Sequence, residues 1–209
     1  MVFETELQNA LEELRKSKER KFDQTVDLII NLKKFSVKKS NINLLIELPH
    51  KVKEKKIAAF FETKNENIDT ITFAEFKKYK DKKLIKSLVN KYDFFIAQAS
   101  LMPKVATSFG RVLGPTGKMP SPQMGILATV DNEGIQKLKK KINNTLKLKV
   151  KEASIKVPVG KQSMKDSEII ENISTIYENI VANLPKNIEN IKNIEIKFTM
   201  TKPVKIKLK

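Results

Sequence analysis

The chain has 209 residues and is 40% hydrophobic, enough for one ordinary domain or two small ones. Its 41 Lys and Arg face 24 Asp and Glu, a net charge of +17 that repels itself unless a polyanion neutralises it, although a general Lys, Asn and Ile bias also contributes. Without Cys, disulfides and thiolate metal sites are excluded, no run reaches the ~18 apolar residues of a membrane span, and the acidic, mixed start is unlike a secretory signal, so a soluble cytoplasmic protein is expected.

Residues 4–20 are predicted to be helical, because Leu7, Leu11 and Leu14 recur at helical spacing among charges. Arg20 and Lys21 then form a basic site just before Phe22. An aromatic at such a junction can stack on a base or sugar, but the sequence alone favours the core. Val26, Leu28, Ile30 and Leu32 alternate strictly, as do Ile42, Leu44, Ile46 and Leu48, so each set lines one face of a strand. Lys38-Lys39-Ser40-Asn41 supplies a polar turn between them. His50, after Pro49, reads as a turn residue, since one His cannot hold zinc alone.

The middle differs in texture. Residues 57–61 and 94–97 are continuous apolar runs, as in strands covered on both faces, with a Lys-rich helical stretch around 80–91 between them. Asp131 is placed to cap a helix carrying Ile135, Leu138 and Ile142. All six glycines fall between positions 110 and 160. Strands alternating with helices predict a small parallel α/β unit.

After it the first texture returns. Ile155, Val157 and Val159 alternate with Lys156 and Pro158, and the proline marks an edge position or strand end. Ser163-Met164-Lys165-Asp166 offers helix-start residues, and Ile169, Ile173, Ile176, Ile180 and Leu184 form a stripe that stops at Pro185. Ile194, Ile196, Phe198 and Met200, then Val204, Ile206 and Leu208, form a strand pair joined at Thr201-Lys202-Pro203. The pattern predicts two domains: a split α+β domain from residues 1–54 and 153–209, and an inserted α/β domain from 55–152. The two crossings, near 52–55 and 151–153, would make a double-stranded hinge.

The most distinctive segment is Gly110-Arg111-Val112-Leu113-Gly114-Pro115-Thr116-Gly117-Lys118-Met119-Pro120. A Gly-rich loop ending in Gly-Lys suggests phosphate cradling by amides. The P-loop spacing fails, however: Val112 stands where a glycine is needed, Met119 where Ser or Thr is needed, and the prolines donate no amide hydrogen. A rigid surface loop of tight turns fits better, leaving Arg111 and Lys118 able to touch a phosphate. No catalytic constellation stands out; Glu12 and Glu13, or Asp166 and Glu168, sit in helices rich in solvated charge. Lys192, Lys197, Lys202, Lys205, Lys207 and Lys209 decorate the last strands, with Lys205, Lys207 and Lys209 on one face. Such a face suits a phosphate backbone or is simply solvated. A rival reading makes the α/β insert a nucleotide-binding domain, on the strength of the segment from Gly114 to Lys118.

Several of these segments resemble the ribosomal protein L-one family of archaeal or eukaryotic type. Lys21-Phe22-Asp23-Gln24-Thr25-Val26 is similar to the family's Lys-Phe-Asp/Asn-Glu-Thr/Ser-Val element, and Leu48-Pro49-His50 to its Leu-Pro-His turn. The stretch from Ser108 to Pro120 resembles its long Gly-Arg-x-Leu-Gly-Pro-x-Gly-Lys-x-Pro signature. Val157-Pro158-Val159-Gly160 resembles its Val-Gly turn, and Thr199-Met200-Thr201-Lys202-Pro203 its Thr-Met-Gly-Lys-Pro end. The resemblance implies a split, ferredoxin-like α+β domain with an inserted Rossmann-like α/β domain. It implies a non-enzymatic protein that binds large-subunit rRNA at the mobile lateral stalk, near the tRNA exit site, and assists release of deacylated tRNA. Exit-site tRNA and its own mRNA, whose translation some members repress, are further implied partners. No cofactor, metal, membrane or small-molecule substrate is implied, and off the ribosome a monomer is expected. By position the RNA-binding residues are Lys21, Phe22, Thr25, Thr199, Met200 and Thr201, with Lys151 and Lys202 in supporting places. Thr201 stands where the family usually has Gly, which permits positive φ or close backbone approach. Either the backbone here has ordinary φ, or that contact is made differently.

Overall fold

The computed structural model describes residues 2–18, 20–36, 42–79, 81–128, 130–150 and 152–206. The expected polar turn at 38–41 lies outside the described residues, as do Lys151, Lys207 and Lys209. The chain divides into two compact units: Met1–Lys53 with Asn144–Lys209, and Glu54–Asn143.

In the first unit β1 (Thr25–Leu32) is an interior strand of a four-stranded sheet. Its neighbours are β9 (Ile191–Phe198), edged by β10 (Val204–Ile206), and β8 (Ser154–Lys161), all antiparallel. The period-2 alternation of β1 puts Val26, Leu28 and Ile30 on one fully buried face. Helices α1 (Val2–Arg15) and α5 (Asp166–Asn183) cover that face with Leu7, Leu11, Leu14, Ile169, Ile173, Ile176 and Ile180. Pro158 lies on the edge strand β8, where a missing amide hydrogen is tolerated. The helix expected over 4–20 stops earlier, at Arg15. Beside this sheet, β2 (Asn43–Glu47) pairs with β7 (Thr145–Lys149) in a two-stranded antiparallel sheet. The sequence reading named no strand at β7, and its pairing with β2 returns the chain to the first unit at Asn144.

The second unit is a parallel sheet in the order β4-β3-β5-β6, from Asp69–Thr72, Ile57–Phe61, Phe94–Gln98 and Ile126–Leu127. The apolar runs of β3 and β5 are the interior strands, covered on both faces. One face carries α2 (Lys82–Lys91), a 3-10 turn at Phe73–Tyr79 and α3 (Met102–Thr116), around the rings of Phe60, Phe76, Phe95 and Phe109. The other face carries Ile135 and Ile142 of α4 (Asn132–Asn144).

The glycine-rich segment corrects the sequence reading. It is not a loop of tight turns: residues 108–116 are the second half of α3. Val105, Phe109, Val112 and Leu113 form its buried stripe, and their burial outweighs the ~1 kcal/mol of helix propensity lost at each glycine. A Cβ at Gly110 or Gly114 would meet nothing within 4 Å. The helix ends at Gly117, whose φ of 70° lets the Lys118 amide reach back to the Leu113 carbonyl at 3.1 Å. Among the described residues no helix is long and apolar enough to cross a membrane, and no cluster of three His, Asp or Glu could hold a metal ion.

Candidate nucleic-acid interface

Three segments meet at one end of the four-stranded sheet of the first unit. They are residues 21–25 entering β1, residues 161–163 leaving β8, and residues 199–202 turning from β9 to β10. Thr25 and Thr199 exchange bonds: the Thr25 amide donates to Thr199 Oγ1 at 3.1 Å, and the Thr199 amide to the Thr25 carbonyl at 3.1 Å. Inside the following turn Thr201 Oγ1 accepts the Phe198 amide at 2.9 Å, while the Thr201 amide donates to the Phe198 carbonyl. Among the described non-glycine residues only Lys34 and Asn187 have positive φ, so Thr201 has ordinary backbone geometry. Its hydroxyl closes the turn from within, which a glycine could not do.

The segment before β1 is held as firmly. Gln24 is 1% exposed; its Oε1 accepts the Met200 amide at 3.1 Å and its Nε2 donates to Gln162 Oε1 at 3.2 Å. Asp23 accepts the Ser163 amide on Oδ1 at 3.0 Å and the Ser163 hydroxyl on Oδ2 at 2.9 Å, with Lys161 Nζ 3.5 Å away. Partial burial pushes the Asp23 carboxyl up, but the Ser163 bonds and Lys161 outweigh it and hold the pKa below its ordinary value. Ser163 therefore serves Asp23 rather than capping α5, whose N-cap position is Lys165 with no side-chain cap. Arg15 fastens the same loop to the end of α1. It donates to Asp166 Oδ1 at 2.6 and 2.9 Å and to the carbonyls of Gln162 and Met164 at 3.0 Å each.

What this frame holds outward is apolar and cationic. Phe22 is 51% exposed and Met200 58%, which corrects the sequence preference for Phe22 in the core. They are two of six large hydrophobic residues left exposed among the described residues, and what sets them apart is that the segments carrying them are joined by the same hydrogen bonds. Lys21 and Lys202 are exposed, as is Arg20, and Lys161 is half-buried. The structure thus brings together Lys21, Phe22, Thr25, Thr199, Met200, Thr201 and Lys202; Lys151 lies outside the described residues. Sequence reasoning missed Gln24, Asp23, Gln162 and Ser163. One signal was available: Gln24 falls on the same register as Val26, Leu28 and Ile30, and a polar residue on a buried register needs a partner.

The outer face of this sheet is less basic than its lysines suggested. Lys197 stands opposite Asp27, and Lys205 opposite Glu195. Burial pushes the Asp27 carboxyl above its ordinary value against the pull of Lys197. A face of alternating sign fits solvation better than a phosphate track, so the candidate interface is the sheet's end.

Among the described residues of the second unit, the Gly-Lys segment forms no nucleotide cradle. The amides of 108–116 are committed to α3, and Lys118 Nζ donates to the carbonyls of Val89 and Tyr92 at 2.7 and 2.8 Å, sealing the end of α2. Lys118 is therefore a structural cap, while Arg111 remains exposed. At the carboxyl ends of β3 and β5, where a nucleotide would lie in an open α/β sheet, Glu62 accepts from Ser100 Oγ at 3.1 Å, and an acid there repels phosphate. His50 is a turn residue: its amide donates to Asn172 Oδ1 at 3.0 Å, and the buried Asn172 donates back to its carbonyl.

Comparison with known proteins bears on this geometry. A family model described as the ribosomal protein L1p/L10e family matches residues 14–202. The chain is similar to the large ribosomal subunit protein uL1 of Pyrobaculum islandicum, 38% identical over 204 residues that cover 92% of this chain and 89% of that one. With uL1 of Thermoplasma acidophilum it shares 36% identity over 214 residues, 97% and 96% of the two chains. With uL1 of Nanoarchaeum equitans the figures are 34% over 202 residues, 92% and 95%.

Proposed function

Because the chain belongs to the ribosomal protein L1p/L10e family, we propose that it is a structural, non-enzymatic component of the large ribosomal subunit that grips rRNA with the end of its split sheet. The observation that carries the reading is the pairing of exposed Phe22 and exposed Met200 on one hydrogen-bonded frame, flanked by Lys21 and Lys202. Phosphates are neutralised by the lysines, which position without reading sequence. Shape is read by the apolar pair and by the backbone around Thr25 and Thr199, as suits folded RNA whose grooves side chains cannot read deeply.

The rRNA element in this proposal is the mobile lateral stalk near the tRNA exit site, where the protein would assist release of deacylated tRNA. The resemblance in the segments 21–26 and 199–203 supports that placement. The first unit then acts as a split, ferredoxin-like RNA-binding domain and the second as an inserted Rossmann-like domain. A stalk-like fold in the chain's own mRNA would meet the same surface, so translational repression by competition belongs to the same proposal. Chemical footprinting on protein-depleted large subunits tests it. Protection by the added chain is expected on the lateral stalk helices and is expected to disappear when free stalk RNA competes. Protection confined to other rRNA regions would overturn the stalk placement.

A further inference from the structure

We propose that Gln24 is a positioning residue for RNA recognition: through its paired bonds to Met200 and Gln162 it sets the two exposed apolar contacts in one fixed geometry. The inference rests on the RNA-binding reading above and deepens it. Gln24 is a buried polar side chain on the apolar register of β1, two residues from Phe22. A polar group in that place is costly unless each of its ends is satisfied. Here Oε1 takes the Met200 amide and Nε2 gives to Gln162 Oε1, while the Gln162 amide returns a bond to the Gln24 carbonyl at 2.8 Å. One side chain thus ties the strand entry that presents Phe22, the turn that presents Met200, and the loop leaving β8. The loop is in turn fastened to α1 by Arg15 and to Asp23 by Ser163. Fixing the contacts before binding removes part of the ordering cost that RNA association would otherwise carry.

The chemistry of the pair yields a test that separates positioning from charge and from folding. A carboxylate at position 24 still accepts the Met200 amide, and the Gln162 amide can rotate to donate to it. A carboxylate at position 162 still accepts from Gln24 Nε2. Each single substitution, Gln24→Glu or Gln162→Glu, therefore keeps the frame. The double substitution opposes two acceptors with no donor between them. Binding of each variant to a lateral-stalk rRNA fragment and to an unrelated hairpin of equal length, with its melting temperature, reads the effect. Each single variant is expected within about threefold of wild type on the stalk fragment, and the double variant is expected to lose about tenfold more than the two singles combined, on that fragment alone. A double-variant loss equal to the product of the singles, or an equal loss on both RNAs, would overturn the proposal. If the double variant does not fold, Gln24→Met decides: a folded protein with reduced stalk binding and unchanged hairpin binding supports positioning, and wild-type stalk binding overturns it. A wild-type chain that does not prefer the stalk fragment fails the function itself, an outcome visible before any variant is made.

Discussion

Phe22 keeps about half its surface in water, at 51% exposure, while its neighbour Gln24 keeps almost none. The two therefore answer differently to substitution. Phe22→Ala is expected to weaken stalk-RNA binding by about 1–3 kcal/mol, the range for an aromatic that stacks on a base, while the melting temperature stays near wild type. Loss of the fold instead would return Phe22 to the core and remove it from the interface. Two aspartates on or beside β1 give a paired pH prediction. Asp23 has a folded pKa below its unfolded one, so its contribution to stability is present above the unfolded value and is lost as pH falls through the folded value. Asp27 has a folded pKa above its unfolded one, so its ionisation costs stability once the pH passes those values. Asp23→Asn should lower the melting temperature at neutral pH and Asp27→Asn should raise it. In acid the Asp27 difference should vanish as the pH falls below its unfolded value, and the Asp23 difference only once the pH has fallen through its lowered folded value. Melting curves across pH check the signs.

Helix α3 shows what an element can hide in sequence. Its glycines and Pro115 read as turns, yet Val105, Phe109, Val112 and Leu113 supply a buried stripe that overrides local propensity. The stripe was there to be read; the glycines masked it because propensity is a local signal and burial is not. Since both helical glycines have open space where a Cβ would go, Gly110→Ala and Gly114→Ala should each stabilise the protein by about 0.5–1 kcal/mol in denaturant unfolding. At the end of the same segment, Lys118→Met should cost about 1–3 kcal/mol by freeing the carbonyls of Val89 and Tyr92, without changing RNA binding. The strands were more legible. The alternation in β1, β8 and β9 and the stripe of α5 fixed their buried faces, because one face of each meets a single core. Partners were not legible: nothing local says that β2 pairs with β7 instead of β1, since pairing is decided by residues a hundred positions away. The outward residues of the candidate site were named through family resemblance. Its frame of Gln24, Asp23, Gln162 and Ser163 was not, because these bonds join segments about 140 residues apart.

Charge is the property of the whole molecule, and it is not gathered at the candidate site. Residues 54–143 carry 17 Lys and Arg against 9 Asp and Glu, and the rest of the chain carries 24 against 15. A surplus spread over both units gives affinity for any polyanion by counterion release, and such affinity falls steeply with salt. In the proposed function specific recognition comes from the shape at the sheet's end, where apolar and backbone contacts would be far less screened than charge. The measurement that tests this most directly is binding to a lateral-stalk rRNA fragment and to an unrelated hairpin of equal length across a salt series. Hairpin binding is expected to be lost as salt rises, while stalk binding survives and is selectively weakened by Phe22→Ala. Equal affinities with the same steep salt slope for both RNAs would contradict that expectation, leaving the net charge of +17 as the sole source of binding.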